Sequence, residues 1–289
     1  AFAAVKDAAG SRDLLIVGAG YLGRKVALQW REKHRDARVV GVTRTDASHA
    51  SLRSDGIEPV TGDELKGAKV SFPYVALAAP PRMRSGGSPE EYKALAEDAL
   101  AWWSPAARGA DGGFVFTSSG GVLAEDSGGV VNEDSAVSSG PGTDPLVWVE
   151  KRATSEGGVA LRLAGLYDTE RGAHAYWLKA GKVGGDPEGK LNLLHYDDAA
   201  SAVVAALERG PEVRGELFLV ADGAPASRRD IVVAARKAAA YAGSAMPQFE
   251  GEGQYGGSAG GKLYDIGKIR RLLGWGPRYG SFAEFMQTV

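Results

Sequence analysis

The chain has 289 residues, of which 41 are glycine and none is cysteine. Its hydrophobic fraction of 44% and charged fraction of 24% are ordinary for a folded protein and exclude disorder as the main state. Without cysteine, disulfides, thiolate chemistry and cysteine-ligated zinc or iron–sulfur sites are excluded. The net charge of -2 gives no reason to expect nucleic acid as a partner. No apolar run approaches the roughly 20 residues that span a bilayer.

Strands and helices alternate along the chain, beginning with an apolar strand at 13–17, a glycine turn at 18–23 and a helix over 24–33. Further strands are predicted at 38–43, 57–60, 74–78, 113–119, 159–163, 191–194 and 216–220, and further helices at 89–103, 146–155, 197–209 and 227–242. Residues 120–145 and 251–261 are rich in small and polar residues and are predicted to be loops. This alternation predicts an α/β fold with a parallel sheet covered on both faces.

The glycine turn, Gly18-Ala19-Gly20-Tyr21-Leu22-Gly23, has the spacing of a dinucleotide-binding motif. The motif needs Gly18 for the tight turn, Gly20 for close approach to a pyrophosphate, and Gly23 for packing of the helix on the strand. A turn without a ligand is the alternative interpretation. The predicted cofactor-binding residues are Gly18, Gly20, Tyr21, Leu22, Gly23, Thr43, Arg44, Asp63, Ala78, Ala79, Pro80, Thr117 and Ser118.

The end of the second strand bears on the choice of cofactor. An acidic residue there would bind the ribose 2′-hydroxyl of NAD, but this chain has Thr43-Arg44-Thr45. A guanidinium flanked by two hydroxyls suits a 2′-phosphate. The sequence therefore predicts NADP(H) as the preferred cofactor, with NAD(H) as the alternative. A solvated surface arginine is the other interpretation of Arg44.

Several motifs occur together in an order that resembles a known family. They are Gly18-x-Gly20-x-x-Gly23, Thr61-Gly62-Asp63, Thr117-Ser118-Ser119, Leu161-Arg162-Leu163-Ala164-Gly165-Leu166-Tyr167, His195-Tyr196-Asp197-Asp198-Ala199-Ala200 and a tail segment, Arg270-Arg271-Leu272-Leu273-Gly274-Trp275. Together they resemble the extended short-chain dehydrogenases/reductases of the NAD-dependent epimerase/dehydratase type. The segment at 171–177 is similar to that of atypical plastid members of plants and algae.

The resemblance implies a Rossmann doubly wound parallel sheet with a smaller C-terminal substrate lobe. The nucleotide-binding domain would comprise residues 13–165 and 191–221, and the lobe residues 166–190 and 222–289. Residues 1–12 would form an N-terminal extension. The first five residues also resemble the processing point of algal plastid proteins, which predicts the plastid stroma as the location. A frayed start to the chain, with a cytoplasmic location, is the alternative.

The catalytic residues that the family uses are incomplete in this chain. The resemblance implies a serine, matched by Ser119 with Ser118 as the alternative, and a tyrosine four residues before a lysine on the helix near 146–155. If Lys151 is the lysine, Val147 occupies the tyrosine position. If the helix is aligned on Glu150 instead, the two positions hold Gly142 and Leu146. The Tyr-x-x-x-Lys matches at 21–25 and 264–268 are interpreted as coincidental.

A valine cannot transfer a proton, so a substitute acid or base would come from a loop or from the lobe. His174 and Tyr176 are the preferred candidates, together with Ser119 as the polarising hydroxyl. Glu133, Asp134 and Tyr167 are alternatives that also have structural explanations: the two acids as a solvated pair or helix cap, the tyrosine as a packed ring with a satisfied hydroxyl. His195 is expected to order the start of the helix at 197, and no spacing of carboxylates and histidines predicts a metal site.

Three functions are compatible with these features. The first is an NADP(H)-dependent oxidoreductase or epimerase that acts on a small organic substrate through a non-standard acid or base. The second is a nucleotide-binding protein without catalysis, such as a redox sensor or an assembly factor. The third is a structural subunit of a larger protein complex. The fold alone does not decide among them.

Overall fold

Strands and helices alternate through the computed structural model, which describes residues 11–68, 70–81, 86–104, 112–251 and 260–289. The strands are β1 (Leu14–Val17), β2 (Val39–Thr43), β3 (Glu58–Thr61), β4 (Tyr74–Leu77), β5 (Gly113–Ser119), β6 (Ser127–Val131), β7 (Val159–Leu163), β8 (Gly165–Tyr167), β9 (Lys182–Val183), β10 (Lys190–Leu191), β11 (Leu193–His195), β12 (Leu217–Val220), β13 (Ala226–Ser227), β14 (Gln248–Phe249) and β15 (Gly261–Tyr264). The helices are α1 (Tyr21–Lys33), α2 (His49–Ser54), α3 (Gly62–Lys66), α4 (Pro89–Ala101), α5 (Asp144–Ser155), α6 (Ala173–Ala180), α7 (Tyr196–Glu208), α8 (Arg228–Lys237), α9 (Gly267–Leu273) and α10 (Phe282–Met286).

Among the described residues, seven strands form a sheet in the order β12-β7-β5-β4-β1-β2-β3. The pairs β1–β2, β1–β4, β2–β3 and β4–β5 are parallel. Every residue of β1 and of β4 is buried, which requires cover on both faces of the sheet. The predicted α/β Rossmann fold is confirmed.

The strand order reverses between β1 and β4. From β1 the chain continues to β2 and β3 on one side, and then returns to β4 on the other side. In open α/β sheets, ligands bind at the carboxyl ends of the strands that flank such a reversal. The turn at Gly18 and the segment at Ala78–Pro80 follow these two strands directly.

The chain divides into two compact units. Unit one contains the described residues within 1–119, 139–161 and 200–217, and unit two those within 120–138, 162–199 and 218–289. In the described part of unit two, four strands form a second sheet in the order β13-β10-β15-β6. An apolar cluster in unit two includes Tyr167, Leu193, Ile231, Phe282 and Phe285. Within the described ranges, none of the helices has both the length and the apolar character that crossing a membrane requires.

Two predicted segments differ from the structure. The prediction of an uninterrupted loop over 120–145 is wrong, because β6 spans Ser127–Val131 and pairs with β15. The sequence Ser-Gly-Gly-Val-Val has weak strand propensity, and its partner lies about 130 residues later, so a local pattern does not reveal it. The strand predicted at 191–194 is two strands, β10 and β11, which belong to different sheets.

Other differences concern boundaries. The helix predicted over 227–242 ends at Lys237 and is followed by a short 3-10 turn at 239–241. Of the loop predicted at 251–261, residues 252–259 lie outside the described residues, and Gly261 begins β15. The predicted N-terminal extension lies outside them too, except for residues 11 and 12.

Candidate nucleotide site

The three glycines of the turn after β1 have different surroundings. Gly18 has a φ of +96°, and a Cβ there would lie 2.4 Å from the amide nitrogen of Ala79. A Cβ at Gly23 would lie 2.4 Å from the carbonyl oxygen of Gly18. A Cβ at Gly20 would meet no atom within 4 Å. The turn is therefore tightly packed at its first and third glycines and open at its second.

The N-terminus of α1 has no side-chain cap, which is also true of α2, α5, α6 and α9. Gly20 is its N-cap residue, no side chain caps it, and its first turn contains no acid. In contrast, α3, α4 and α8 each begin with a capping box, formed at α4 by Ser88 and Glu91 as the sequence predicts. The first N–H groups of a helix need acceptors, and the helix dipole favours an anion there. The start of α1 is therefore suited to a phosphate group.

The end of β2 is joined to this turn by hydrogen bonds. The carbonyl oxygen of Val42 accepts from the amides of Gly18 and Ala19, each at 3.1 Å. One residue further on, the hydroxyl of Thr43 lies 2.8 Å from Nε2 of the buried His49, and this contact closes the loop at 44–48. Sequence reasoning did not anticipate His49, which looks like a surface residue in the sequence.

Arg44 follows Thr43 directly, and its side chain is exposed. It forms no hydrogen bond or ion pair with another residue of the described ranges. Arg24, in the first turn of α1, is in contrast bound to Ser51 and paired with Asp55. Of these two guanidinium groups, that of Arg44 is the one without a hydrogen-bond or ion-pair partner in the described part of the chain.

The segment after β4 borders the turn on the other side. The amide of Ala78 donates to the carbonyl of Val17 at 2.8 Å, and the carbonyl of Ala79 accepts from the hydroxyl of Tyr92 at 3.0 Å. Burial raises the pKa of Tyr92, which keeps this hydroxyl a donor. Pro80 is exposed. The contact from Tyr92, which no sequence motif signals, helps to position the backbone at Ala79 against Gly18.

Asp63 follows β3, which ends at Thr61, and lies within the first turn of α3. Its side chain is exposed. The cap of this helix is Thr61, whose hydroxyl accepts from the amide of Glu64 at 3.4 Å, so Asp63 is not needed as the cap. A cofactor-binding role for Asp63 stays a prediction.

The three hydroxyls at the end of β5 have different environments. The Thr117 hydroxyl donates to the carbonyl of Leu77 at 3.3 Å. The Ser118 hydroxyl donates to Oε1 of Glu150 at 2.6 Å, and both residues are buried. Ser119 is exposed. Ser118 is therefore a buried residue bound to Glu150, and Ser119 is the exposed serine of the pair.

The helix that would carry the tyrosine and lysine is α5. Val147 and Lys151 both lie within it, four residues apart, with Val147 half-buried and Lys151 exposed. Gly142 precedes the helix, and Glu150 is buried against Ser118. The alignment on Lys151 is therefore the one that keeps both positions on the helix. It places a valine, not a tyrosine, before the lysine.

His174 and Tyr176 both lie on α6, but their side chains have opposite environments. His174 is 1% exposed, packs against the rings of Tyr241 and Phe282, and has Nε2 3.4 Å from the carbonyl of Thr169. Burial lowers its pKa, so its neutral form is favoured. Tyr176 is 68% exposed. The structure of unit two does not bring the two side chains together, and their catalytic roles stay predictions.

Of the two alternative acids, Glu133 binds a partner through its carboxylate and Asp134 through its backbone amide. The carboxylate of Glu133 accepts from the amide of Leu219 at 2.9 Å, and the amide of Asp134 donates to the side chain of Asn132 at 3.0 Å. Nδ1 of His195 accepts from the amide of Asp197 at 3.1 Å, which confirms the predicted ordering of the start of α7. Tyr167 is a buried ring as predicted, but its hydroxyl has no hydrogen-bond partner among the described residues.

The two coincidental Tyr-x-x-x-Lys matches belong to elements other than α5. Tyr21 is exposed at the start of α1, with the Lys25 ammonium 5.3 Å from the centre of its ring. Tyr264 ends β15, and Lys268 lies on α9 with its ammonium over the ring of Phe218. In the described part of the chain, no group of three or more histidines and carboxylates is arranged to hold a metal ion.

The strand order, the parallel pairing and the glycine turn after β1 define an α/β protein with a Rossmann-like fold. No protein-family model and no curated protein sequence matches the chain. Solved structures do match over nearly the whole length. ADP-L-glycero-D-manno-heptose-6-epimerase from Helicobacter pylori has a TM-score of 0.76 at 15% identity, covering 96% of each chain.

Two further structures extend this similarity. UDP-glucuronic acid 4-epimerase from Bacillus cereus, solved in complex with NAD, has a TM-score of 0.73 at 20% identity and covers 95% of this chain and 96% of its own. dTDP-glucose 4,6-dehydratase from Bacillus anthracis, also in complex with NAD, has a TM-score of 0.73 at 13% identity, with coverage of 96% and 94%. These similarities establish the fold that the chain shares with epimerases and dehydratases of this type.

Proposed function

We propose that unit one binds NADP(H) in preference to NAD(H). The observation that carries the binding of a dinucleotide is the open position at Gly20, which lies between two tightly packed glycines at the uncapped start of α1. Such a turn lets a pyrophosphate approach the backbone, and the first N–H groups of the helix face the phosphate oxygens. Structural neighbours with NAD bound support a nicotinamide dinucleotide as the ligand.

The preference for the phosphorylated cofactor is proposed on the basis of Arg44. It follows β2, where the ribose-reading residue of such sites lies, and it forms no ion pair with another described residue. Thr43, its neighbour, is tied to His49, so the loop that carries the guanidinium is anchored. A free guanidinium can bind a 2′-phosphate through charge-assisted hydrogen bonds.

Calorimetric titration with NADPH and NADH tests the cofactor proposal. Loss of a charge-assisted pair costs about 1.5–3 kcal/mol, so we expect Arg44→Ala to weaken NADPH binding about tenfold or more and to leave NADH binding nearly unchanged. Arg35→Ala is the matched control, because Arg35 is also exposed but precedes β2 instead of following it. Equal affinity of the unmodified protein for both cofactors would contradict the preference. Mass spectrometry of nucleotide released from the purified protein provides an independent check.

In the same proposal, the protein is an oxidoreductase or epimerase for a small organic substrate. A bound nicotinamide would supply or accept a hydride. The chain would contribute the turn around Gly20 and Arg44 to hold the cofactor, and the exposed hydroxyl of Ser119 to polarise a substrate carbonyl. Because α5 has no tyrosine before Lys151, the acid or base would be non-standard. His174 and Tyr176 stay the sequence-derived candidates, of which Tyr176 is the exposed one.

One observation favours a second candidate function, a non-catalytic nucleotide-binding subunit or assembly factor of a larger complex, proposed to be in the plastid. Val147 occupies the tyrosine position on α5, and the neighbouring Glu150 is committed to Ser118. General acid–base catalysis is worth about 10²–10⁴-fold, so its loss leaves little turnover of generic ketones, aldehydes or nucleotide sugars. Bound nucleotide without such turnover supports this second function. Turnover that Ser119→Ala abolishes while NADPH affinity is kept supports the enzyme.

A further inference from the structure

A buried cluster of ionisable side chains lies in unit two, independent of the nucleotide turn. We call it the carboxyl cluster; it consists of Tyr167, Asp198 and Asp222. Their exposed fractions are 0%, 2% and 3%. Burying two carboxyl groups in one cluster is unfavourable if both are charged, unless partners compensate for the lost hydration. The partners of the two carboxyl groups differ.

Asp198 binds the C-terminal part of the chain. It lies in the first turn of α7, and its two carboxylate oxygens accept from the backbone amides of Arg278 and Tyr279, at 2.8 Å and 3.1 Å. The ring of His195 packs on the rings of Tyr279 and Phe285, with centroids 4.3 Å and 4.5 Å apart. One carboxylate and one ring therefore attach the segment at 275–289 to the start of α7, and its Phe282 and Phe285 also pack against the ring of Tyr167.

Asp222, which follows β12, lacks such compensation. Its Oδ1 accepts from the amide of Ala224 at 2.9 Å, but its buried Oδ2 has no hydrogen-bond partner among the described residues. The hydroxyl of Tyr167 is also buried and has no hydrogen-bond partner among the described residues. An ionised carboxylate with one buried oxygen that accepts no hydrogen bond is unfavourable, and the neutral acid loses less hydration on burial.

The charged groups that face Asp222 make its ionisation still less favourable. Asp198 on α7 and Glu284 on α10 are both acidic and repel a charge on Asp222. The phenol of Tyr167 on β8 is neutral, because burial and these carboxylates raise its pKa. On α9, the guanidinium of Arg270 lies beside Gly223. Burial and repulsion together raise the pKa of Asp222 to about 7.

We propose that Asp222 acts as a proton-controlled switch for the C-terminal segment, residues 275–289. When Asp222 is protonated, the cluster carries the charge of Asp198 alone, and that carboxylate holds the amides of Arg278 and Tyr279. When Asp222 loses its proton, a second negative charge lies beside Asp198 and Glu284, and the segment opens from the core of unit two. The inference does not depend on the proposed cofactor.

The direction of the pH effect follows from the two states. An exposed aspartate has a pKa near 3.8, and Asp222 in the closed form has one near 7, so the closed form binds the proton more tightly. The closed form is therefore fully favoured below about pH 4 and loses its advantage as the pH rises through about 7. From these two values, the equilibrium constant for opening rises about tenfold between pH 6 and pH 8.

Hydrogen exchange measured by mass spectrometry on peptides from residues 275–289, corrected for the intrinsic exchange rate, tests the switch. We expect protection of these amides to fall about tenfold between pH 6 and pH 8 in the unmodified protein, and to be independent of pH in Asp222→Asn. Asp265→Asn is the matched control, because exposed Asp265 also accepts from the amide two residues later, at 2.8 Å. It is expected to keep the pH dependence.

A second variant keeps the proposal testable if Asp222→Asn fails to fold. Glu284 is exposed, and Glu284→Gln removes one of the charges that repel Asp222. We expect this variant to open less at a given pH, and so to need a higher pH for the same opening, because the pKa of Asp222 in the closed form falls toward its value in the open form. Identical pH dependence in the unmodified protein and both variants would overturn the switch. So would a loss of protection spread over all of unit two instead of residues 275–289.

Discussion

Replacing the glycines of the turn after β1 one at a time separates a packing role from a binding role. The three positions lie within six residues and belong to one motif, yet their surroundings differ. Gly18 and Gly23 would each place a Cβ 2.4 Å from a backbone atom, and Gly20 would place it in open space. Alanine substitutions should therefore lower the free energy of unfolding at the outer two positions and leave it nearly unchanged at the middle one.

The largest loss of stability is expected at Gly18. Its φ of +96° is one that L side chains rarely adopt, and the new methyl group would overlap the backbone of Ala79. Backbone strain and overpacking each cost about 1–3 kcal/mol, which predicts a loss of about 2–6 kcal/mol for Gly18→Ala. At Gly23 the overpacking is partly offset by about 1 kcal/mol of helix propensity, which leaves a loss of about 0–2 kcal/mol.

At Gly20, the middle position, substitution is expected to affect binding and to have little effect on stability. Gly20 has a φ of -81° and serves as the N-cap of α1, where alanine costs no more than about 1 kcal/mol. Gly20→Val should fold but fill the space that a pyrophosphate would occupy, and so prevent NADPH binding. Urea unfolding measures stability and calorimetry measures binding. Gly276→Val is the matched control, because a Cβ there also meets no atom within 4 Å.

Two results would contradict a packing role for the outer glycines and a binding role for Gly20. If Gly20→Ala lost as much stability as Gly18→Ala, the open space beside Gly20 would be absent in solution. If Gly20→Val bound NADPH with unchanged affinity, the nucleotide would bind elsewhere and the motif would be only a turn. Stability and affinity are measured on the same preparations, so a folding defect is not mistaken for a binding defect.

Two further predictions concern the end of β5 and helix α5. Ser118→Ala removes the hydroxyl that donates to buried Glu150 at 2.6 Å. It should lower the free energy of unfolding, measured by urea titration, by about 1.5–3 kcal/mol. Unchanged stability would show that this hydrogen bond contributes nothing. Val147→Tyr places a phenol four residues before Lys151, and it should create weak NADPH-dependent reduction of generic carbonyl compounds. Val147→Phe lacks the hydroxyl, and equal rates in the two variants would argue against the alignment on Lys151.

The features that could be predicted from the sequence are those encoded by neighbouring residues. The spacing of Gly18, Gly20 and Gly23 after an apolar run predicts the strand, turn and helix that the structure has. Ser88 followed by Glu91 predicts the capping box at the start of α4, with both of its hydrogen bonds. Each of these patterns lies within one short stretch of the chain, and its physical cause is local.

Features that depend on residues far apart in the sequence could not be predicted from local patterns. In the sequence, nothing distinguishes Glu150 from any other acidic residue of a helix. Its role depends on the fold, which places it against Ser118, 32 residues earlier in the chain. His49 reads as a surface residue until its ring meets the hydroxyl of Thr43. The orphaned oxygen of Asp222 likewise depends on which groups the fold places around it, since charge and burial are not properties of a single position.

The second sheet has a consequence for how the chain acquires its structure. The strands β6, β10, β13 and β15 begin at residues 127, 190, 226 and 261, and β15 lies between β10 and β6. During synthesis from the N-terminus, β6 therefore leaves the ribosome well before its partner exists. Closing so long a loop also slows the pairing. Until residues 261–264 arrive, the edges of β6 and β10 remain exposed and able to pair with other chains, so nascent or shortened forms of this protein are expected to need a chaperone.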